Sequence, residues 1–473
     1  MSEAGVSSTV DQDLERQDLE RFLDTTKEQR LESYKALLRI PSISGMPEHA
    51  PDCRAAAEFV AADLRIAGME HVEVSETGGH PVVYADWLHA AGKPTVLVYC
   101  HYDVQPADPL DLWESPPFVP VVKEGRMLAR GSSDCKCHVS MHVRAAEGLL
   151  RTRRSLPVNL KFVVEGEEES SSVHLDAWLT ANRERLAADF AVISDTSFFE
   201  GNLPALTIAL RGLVYFQLDV TGSKLDLHSG VYGGAVDNPV NALCRIVAAL
   251  KGPDGRVSVP GFYDDVAPLT PLDKAAFAAL PLDEKSYVEG IGVTSLFGEP
   301  GFTTLERLGA RPTLDVNGIW GGFEGEGPKT IIPAHAHAKI SCRLVANQDA
   351  EKIFGLIADH IAKVAPKTIR YSIQRLGDGN PSLTPIDTPA MQAAARAIEA
   401  TFGVLPLYIR EGGSVPVCAS FESILGISTV LLGFAPADGQ FHAPNEWMWM
   451  SNFETGIRTI ARYWDEVSNL EIG

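Results

Sequence analysis

Apolar residues in the first part of the chain alternate between helical and strand spacing. Leucine and aromatic side chains recur at helical spacing from Leu14 to Leu38, and the segment IPSISG then predicts the end of that helix. Apolar runs bounded by turn residues predict strands at HPVVYADWL, PTVLVYC, VNLKFVVEG and DFAVISD. Ala-Gly-Lys between the first two runs predicts a hairpin. Helical stretches separate the later runs, and strands that alternate with helices predict a layered α/β domain.

The pattern changes near residue 205, where the run ALTIALRGLVYFQLDVTGS is long and rich in β-forming residues. Asn238 followed by Pro239 predicts the start of a helix that ends at Gly252. An alternating strand, an amphipathic helix and another strand follow at PAHAHAKISCRLV, DAEKIFGLIADHIAKVA and TIRYSIQRL. This β-α-β-β-α-β-like order predicts a smaller α+β domain at 208–384, inserted into a discontinuous α/β/α domain formed by 1–207 and 385–473.

Alternation of helices and strands returns after this block. Thr388 and Pro389 predict the start of a helix that ends at Gly403, and STVLLGF predicts a strand. Ser451 and Glu454 have the spacing of a capping box ahead of the final helix. The apolar face predicted for that helix contains Ile457, Ile460, Ala461 and Trp464.

Composition and charge narrow the possible functions. The 473 residues are 45% apolar and 22% charged, which is enough apolar surface for a folded core. A formal net charge of −21 disfavours nucleic acids and anionic membrane surfaces as partners, because both require clustered Lys and Arg. No apolar run reaches the roughly 18 residues of a membrane helix, and no signal-peptide pattern is visible. Seven cysteines in so long a chain do not resemble a disulfide framework, so we expect a cytoplasmic protein.

Two predicted strands end in residues that can bind metal ions. The strand PTVLVYC leads into His101 and Asp103, and residues two apart in extended backbone share a face. An aspartate so placed can fix the tautomer of a histidine ligand, although a capped strand end is the simpler interpretation. The strand DFAVISD ends in Asp195. Side chains at the carboxyl ends of neighbouring strands meet at one edge of a sheet.

Three loops add further candidates. Asp134 lies in a Gly-Ser turn, where an Asx-turn is the simpler explanation. The acidic run within 163–170 is either a solvated loop or a metal-binding glutamate beside a base. His442 lies in a late loop that continues as Ala-Pro-Asn-Glu. Two histidines and three carboxylates together suit two divalent metal ions that share a bridging carboxylate.

The order of these motifs resembles that of the M20 family of dinuclear metallopeptidases, in particular its cytosolic non-specific dipeptidase and carnosinase branch. The matching runs are LLRIPSISG, VYCHYDVQP, ARGSSDCK, VEGEEES, ISDT, GIWGGFEGEGPKTIIP, ISCRLV, REGGSVP and HAPNE. They extend over nearly the whole chain and are specific in combination. The resemblance implies a catalytic domain with a zinc-exopeptidase-like mixed sheet, and an inserted domain that serves as lid and dimerisation domain.

The resemblance also implies two divalent metal ions per subunit, with zinc expected and manganese or cobalt as alternatives. The residues implied as ligands of one ion are His101, Asp134 and Asp195. The residues implied as ligands of the other are Asp134, Glu169 and His442. Asp134 would therefore bridge the two ions.

Further roles follow from the same resemblance. Glu168 would be the general base that accepts a proton from water, and Asp103 would orient the first histidine ligand. His228 of the inserted domain would stabilise the oxyanion in the partner subunit's site, which implies a homodimer formed through that domain. Arg343 would bind the free carboxylate of the substrate. The residues expected to help hold the same end are Thr330, Gly413 and Ser414.

The expected activity is metal-dependent hydrolysis of the peptide bond of dipeptides that have a free C-terminal carboxylate. The expected partners are small peptides and a second copy of the chain, with no nucleic acid and no membrane. Two alternatives remain open. One is an N-acyl amino acid deacylase or carboxypeptidase of the same family, and the other is a repurposed protein that binds its ligand or acts in biosynthesis without hydrolysis.

Three positions depart from the family pattern. The usual Asp-x-Lys-Gly reads Asp-Cys-Lys-Cys at 134–137, and Ser171 replaces a glycine after the acidic run. The cysteines are either thiolate ligands, which would favour zinc, or small buried residues, and the second interpretation is preferred because buried Cys is common. His335 and His337 lie on an alternating strand and are interpreted as structural.

Overall fold

A computed structural model describes residues 3–412 and 416–471 of the protein. The helices are α1 (Glu3–Thr25), α2 (Lys27–Leu38), α3 (Ala50–Ala67), α4 (Lys136–Arg153), α5 (Leu175–Ala181), α6 (Ser229–Tyr232), α7 (Pro239–Leu250), α8 (Pro271–Ala279), α9 (Glu284–Ile291), α10 (Thr304–Ala310), α11 (Ala350–Val364), α12 (Pro389–Phe402), α13 (Pro416–Ser420) and α14 (Met450–Val467). The strands are β1 (Glu70–Ser75), β2 (Val82–Trp87), β3 (Thr95–His101), β4 (Val121–Lys123), β5 (Arg126–Leu128), β6 (Asn159–Glu165), β7 (Phe190–Ile193), β8 (Ala205–Leu210), β9 (Gly212–Thr221), β10 (Leu227–His228), β11 (Thr313–Gly321), β12 (Ile331–Ile332), β13 (His335–Leu344), β14 (Arg370–Gly379), β15 (Ser382–Leu383), β16 (Leu407–Glu411), β17 (Ser428–Leu431) and β18 (Trp447–Trp449).

The chain forms two compact units, and the first contains residues up to Ile208, Thr384–Tyr408 and residues from Pro416 onward. Strands of its large sheet follow the order β1-β2-β6-β3-β7-β17-β8, and the short strands β15 and β16 also pair with β8. β6, β3, β7 and β17 run parallel to one another. β2 and β8 are antiparallel to their neighbours in this group. The mixed sheet confirms the α/β class predicted from the sequence.

The hairpin predicted between HPVVYADWL and PTVLVYC is wrong. β2 and β3 lie on opposite sides of β6, with Val83 antiparallel to Val164 and Cys100 parallel to the same residue. Nearly all residues of the three strands are buried, as expected of central strands covered on both faces. Pairing in such strands is decided by burial of whole apolar runs, so a short turn between two of them does not fix which strands become neighbours.

Helix α4 lies at the centre of the first unit. Its residues Lys136 to Leu149 are all buried. It packs against α1, α2, α3, α14 and β3. Two histidines on it are buried with partners, since His138 Nε2 accepts the N–H of Phe434 and His142 Nε2 lies 2.8 Å from Ser194 Oγ. The helix is therefore fixed by contacts around its whole circumference.

The second unit contains Ala209–Leu383 and a segment that starts at Ile409. An antiparallel sheet of order β11-β13-β9-β14 packs one face against α7 and α11. Alternate residues of β9 and β13 form that core, among them Phe216, Leu218 and Ile340. The residues between them remain half-exposed on the opposite face. The alternation in β13 is the one predicted from its apolar pattern, and β9 alternates in the same way.

Capping predictions are confirmed at two helices and wrong at a third. Asn238 caps α7, and Thr388 caps α12, each by accepting a backbone N–H with its side chain. Helix α14 begins at Met450 without a side-chain cap. Glu454 is instead paired with the buried Arg30 at 2.5 Å. Neutralising a buried guanidinium is worth more than one exposed cap, which explains the difference.

Two further expectations from the sequence concern membrane-spanning helices and disulfide bonds. Within the described ranges, no helix combines the length and apolar character that crossing a membrane requires. None of the seven cysteines, all within the described ranges, forms a disulfide, and Cys244 is exposed while the other six are buried.

Candidate metal centre

Parallel strands carry most of the candidate ligands to one edge of the large sheet. β3, β6 and β7 are mutually parallel, so their carboxyl ends lie side by side. The candidates at or just beyond these ends are His101, Asp103, Glu168, Glu169 and Asp195. The loop ahead of α4 adds Asp134, and the loop between β17 and β18 adds His442.

Asp134 faces both histidines, one with each carboxylate oxygen. Its Oδ1 lies 3.1 Å from His101 Nε2, and its Oδ2 lies 2.9 Å from His442 Nε2. Asp195 Oδ1 also lies 3.5 Å from His101 Nε2, and Glu169 Oε2 lies 3.1 Å from His442 Nε2. A carboxylate that faces two donor groups through separate oxygens has the arrangement of a bridging ligand between two metal ions.

The potential ligand atoms form two groups. The first group is His101, Cys135 and Asp195, and the second is Asp134, Glu169 and His442. Within each group, one ligand atom per residue lies within 4.8 Å of the others. The second group has the same three members as the ligand set expected for one of the two ions. The first includes a thiol that the sequence interpretation treated as structural.

Asp103 connects the first histidine to the acidic loop. Nδ1 of His101 lies 3.1 Å from the backbone oxygen of Asp103 and 3.3 Å from its carboxylate Oδ1. The other carboxylate oxygen accepts the N–H of Glu169 at 3.1 Å. Both residues at the end of β3 are completely buried. This arrangement fixes the ring orientation and leaves Nε2 directed at Asp134 and Asp195.

The centre carries more buried negative charge than its own histidines neutralise. Burial alone would lower the pKa of His101, but Asp195, Asp103 and Asp134 hold it well above its ordinary value. Hydrogen bonds to Asp134 and Glu169 raise the pKa of His442 to about 10. Burial, with further repulsion from Asp134, raises the pKa of both Glu169 and Asp195. Oxygen and imidazole donors around unneutralised negative charge fit two borderline divalent cations.

Glu168 begins a short 3₁₀ turn, Glu168–Ser170, directly beside the ligand groups. Burial is the main reason that its pKa rises to about 9, and Asp195, Glu169 and Asp134 raise it further. The neighbouring Glu167 has a different role, because its carboxylate accepts the N–H of His80 at 3.1 Å and faces His174 Nδ1. Glu168 is therefore the glutamate of this run whose pKa is raised to about 9 by burial and by the negative charge of the ligand groups.

Glu446 is a residue that the sequence analysis did not single out. It is completely buried and accepts hydrogen bonds from the backbone N–H groups of Gly131, Ser133 and Asp134 at 2.7–3.0 Å. It also pairs with Arg130 at 2.9 Å. Glu446 follows His442 in the run HAPNE, so its presence in a specific motif was the available signal.

Two loops of the centre contain non-glycine residues in the left-handed region. Ser171 has φ 80°, which explains why glycine is usual at this position of the family pattern. His442 has φ 58°, and its side chain is 54% exposed. Such conformations persist where surrounding contacts hold them, and they are common in functional loops.

The two cysteines of the 134–137 run are both buried. Cys135 Sγ donates to the backbone oxygen of Ser194 at 3.0 Å, and Cys137 Sγ donates to that of Ser133 at 3.2 Å. Burial raises the pKa of both thiols well above the ordinary value. Cys137 lies in the first turn of α4, where its φ is not in the left-handed region. The position therefore does not require the conformational freedom of glycine.

The residues expected to bind substrate lie in the second unit or outside the described ranges. Arg343 is half-buried on the helix-free face of β13, and Thr330 is exposed ahead of β12. His228 is exposed, and its Nδ1 accepts the N–H of Gly230 at 3.0 Å. The remaining two, Gly413 and Ser414, fall between the described segments 3–412 and 416–471.

Comparison with known proteins identifies the family. Residues 97–466 match the model of peptidase family M20/M25/M40. The chain is 32% identical to a Cys-Gly metallodipeptidase of Schizosaccharomyces pombe, over 96% of this chain and 98% of that protein. It is also 32% identical to the human Beta-Ala-His dipeptidase, over 82% of this chain and 78% of that one.

A solved structure shows the same relationship at the level of the fold. The M20 family metallo-carboxypeptidase Sso-CP2 of Sulfolobus solfataricus superimposes with a TM-score of 0.81 at 30% sequence identity. The match covers 93% of this chain and 99% of that structure. The resemblance predicted from the motifs is thereby confirmed, and the chain belongs to peptidase family M20/M25/M40.

Proposed function

We propose that this protein is a metal-dependent dipeptidase that cleaves the peptide bond of dipeptides with a free C-terminal carboxylate. The observation that carries the proposal is Asp134, whose two carboxylate oxygens face His101 and His442 separately at 3.1 and 2.9 Å. The names of the Schizosaccharomyces and human relatives, both dipeptidases, support the same substrate class.

Two divalent ions would be held by the side chains that surround Asp134. The proposed ligands of one ion are His101, Asp134 and Asp195, and those of the other are Asp134, Glu169 and His442. When bound, the ions polarise the scissile carbonyl and lower the pKa of the attacking water. Zinc is the proposed metal, because imidazole and carboxylate donors suit it, with manganese and cobalt as alternatives. A thiolate from Cys135 would strengthen the preference for zinc.

Glu168 is proposed to move the proton. Its carboxylate accepts a proton from the attacking water and then donates that proton to the nitrogen of the leaving amine. Its raised pKa, about 9 without cations, supports a group that can hold a proton during the reaction. Positive charge bound at the two ligand groups would lower this pKa towards neutrality, where a carboxylate can both accept and donate a proton efficiently. Asp103 keeps His101 oriented during the cycle.

Arg343 is proposed to bind the C-terminal carboxylate of the substrate. Its guanidinium makes no hydrogen bond or ion pair with any residue in the described part of the chain. Burial together with the charge of Arg343 lowers the pKa of Arg211 to about 10, so two cations lie close together there. Such a pair favours an anion, and a guanidinium binds a carboxylate with two parallel hydrogen bonds. The residues proposed to contact the same carboxylate end of the substrate are Thr330, Gly413 and Ser414.

His228 is proposed to act in the site of a partner subunit. Because its Nδ1 accepts a backbone N–H, its neutral form carries the proton on Nε2, which can donate to an oxyanion. Leu225 and Val231 beside it are 64% and 69% exposed. Apolar exposure of this kind suits an interface. We therefore propose a homodimer formed through an inserted domain at 208–384, in a cytoplasmic enzyme whose free thiols match a reducing compartment.

The proposal is tested by amino-acid release from a mixed dipeptide library. The protein is stripped of metal, reloaded with zinc or manganese, and assayed beside N-acetylated amino acids and a chelator control. We expect release from free-amine dipeptides that the chelator abolishes. Cleavage of N-acetylated amino acids alone would support the deacylase alternative, and absence of cleavage under either metal would support a non-hydrolytic role.

A further inference from the structure

We propose a second metal-binding site, on the surface of the second unit, formed by His335 and His337. The two residues lie on the same face of β13, two positions apart, and their rings stack with centroids 6.3 Å apart. This pair is separate from the residues of the proposed active site, and the proposal does not depend on that function. The ligand is a borderline divalent ion such as Cu²⁺, Ni²⁺ or Zn²⁺.

Both imidazoles are anchored through Nδ1. His337 Nδ1 lies 2.6 Å from Asp219 Oδ1, and a carboxylate only accepts, so this nitrogen carries the proton. The lone pair of His337 is therefore on Nε2. His335 Nδ1 lies 3.1 Å from Thr221 Oγ1, and a hydroxyl can accept there as well. Neither Nε2 atom has a partner among the residues that the structure describes.

The carboxylate–histidine pair has the arrangement that supports metal ligands in proteins. A histidine that binds a metal usually donates its other N–H to a carboxylate, which orients the ring and increases its basicity. Asp219 orients the ring of His337 in this way and itself accepts a hydrogen bond from Gln217 Nε2 at 2.8 Å. The pairing register explains the geometry, because Thr221 is directly opposite His335 and Asp219 is directly opposite His337.

Access and packing also suit an ion at this position. His335 is exposed, and the side chain of His337 is 28% exposed, so solvent reaches both imidazoles. Trp320 stacks on the ring of His337 at 5.1 Å and restrains it. Zn–N bonds of about 2.0–2.1 Å require the two Nε2 atoms to approach, and the exposed His335 ring, which has one hydroxyl contact, can incline towards its neighbour. Water would complete the coordination.

The site differs chemically from the carboxylate-rich centre of the first unit. With two imidazoles as its protein ligands, affinity should follow the order Cu²⁺ above Ni²⁺ and Zn²⁺, with Mn²⁺ and Mg²⁺ weakest. The adjacent Trp320 makes binding visible, because Cu²⁺ at His337 quenches the fluorescence of a stacked indole.

The test is a Cu²⁺ titration of the zinc-loaded protein, followed by tryptophan fluorescence and by equilibrium dialysis. The variants are His335→Asn and His337→Asn, singly and together, because the asparagine amide replaces Nδ1 and removes Nε2. We expect the double variant to bind one Cu²⁺ fewer per chain and each single variant to bind that ion about tenfold or more weakly. Trp320→Phe should lose the quenching and keep the bound ion.

His89→Asn is the matched control. His89 also lies beside a tryptophan, Trp87, at a ring distance of 5.1 Å, but its Nε2 is paired with Glu70 at 2.9 Å and it has no second histidine partner. This variant should bind Cu²⁺ like the parent protein. The proposal is overturned if the double variant retains the parent's Cu²⁺ stoichiometry and affinity. If the double variant does not fold, His335→Asn, at the more exposed position, is compared with the parent instead. Unchanged Cu²⁺ affinity in His335→Asn would then overturn the proposal.

Discussion

Glu446 holds the loop of Asp134 in place across 312 residues of sequence, because its carboxylate accepts the backbone N–H of Asp134 at 3.0 Å. The same carboxylate also accepts the N–H groups of Gly131 and Ser133 and pairs with Arg130. A backbone tied at several points leaves little freedom to the side chain at its end. The direction in which Asp134 presents its two oxygens is therefore set by a residue that does not itself contact the histidines.

Glu446→Gln should weaken metal binding, because an amide accepts through only one of its two positions and the backbone N–H groups would lose partners. We expect a 10–100-fold loss of zinc affinity in dialysis against competing chelator. Glu454→Gln is the control. It disrupts a buried ion pair with Arg30, whose Nη2 lies 2.5 Å from Glu454 Oε2, and this pair lies away from the Asp134 loop. It should lower the free energy of unfolding and leave zinc affinity unchanged. Equal zinc affinity in Glu446→Gln and the parent would refute the positioning role.

Glu168→Gln should retain its metal and lose most of its turnover. The amide cannot accept the proton of water, and loss of a general base reduces kcat by about 10²–10⁴-fold. Elemental analysis should still find the parent's metal content. Glu167→Gln is the matched control, because Glu167 contacts His80 and His174 instead, and its kcat should stay within about tenfold of the parent. Near-normal kcat in Glu168→Gln would assign the base elsewhere.

Removal of the bridging ligand should cost more metal than removal of a terminal ligand. Asp134→Ala deletes both oxygens that face the two histidines, so both ions should be lost. His442→Ala removes a ligand from one group only, and one ion per chain should remain. Metal content after dialysis measures the difference. If Asp134→Ala retains one ion as tightly as His442→Ala does, the two groups do not share this carboxylate.

Arg343→Met should raise KM for dipeptides that have a free carboxylate. A charged hydrogen bond is worth about 1.5–3 kcal/mol, which corresponds to roughly a 10–150-fold increase. The same dipeptides with an amidated C-terminus should show little difference between variant and parent. Lys339→Met is the control on the same strand and the same face. If the variant discriminates against amides as strongly as the parent does, another group binds the carboxylate.

Protonation of the buried His142 should lower the free energy of unfolding as the pH falls. Burial lowers its pKa to about 3, against about 6.5 in the unfolded chain, so the unfolded state takes up the proton first as pH falls. Its Nε2 faces Ser194 Oγ, and the hydroxyl of Ser194 donates to Leu432, so this nitrogen is the donor. Its Nδ1 is buried without a partner among the described residues, which makes protonation there unfavourable.

The contribution of His142 is complete above pH 6.5 and falls by up to about 1.4 kcal/mol per pH unit between pH 6.5 and 3. His142→Gln keeps an N–H donor for Ser194 and removes the titration. Denaturant unfolding between pH 7 and 4.5 should give a shallower decline for this variant than for the parent. Parallel declines in both proteins would show that His142 does not contribute to the acid sensitivity.

Local patterns in the sequence determined the elements and the chemistry they carry. The alternation in β13, the caps at Asn238 and Thr388, and the apolar face of α14 depend on neighbours within a few residues, so they were predictable. The motifs also identified the family and the residues at the strand ends, because the carboxyl ends of parallel strands necessarily meet at one edge.

Only the tertiary structure decided relationships between distant segments. β6 separates β2 from β3 because burial of complete apolar runs outweighs the turn signal in the short connection between them. Glu454 neutralises Arg30 instead of capping α14, because a buried charge requires a partner. Glu446 reaches the Asp134 loop, and Asp219 anchors His337, through packing and strand register that are properties of the assembled sheets. The sequence specifies which groups are present, whereas long-range burial and pairing determine which of them meet.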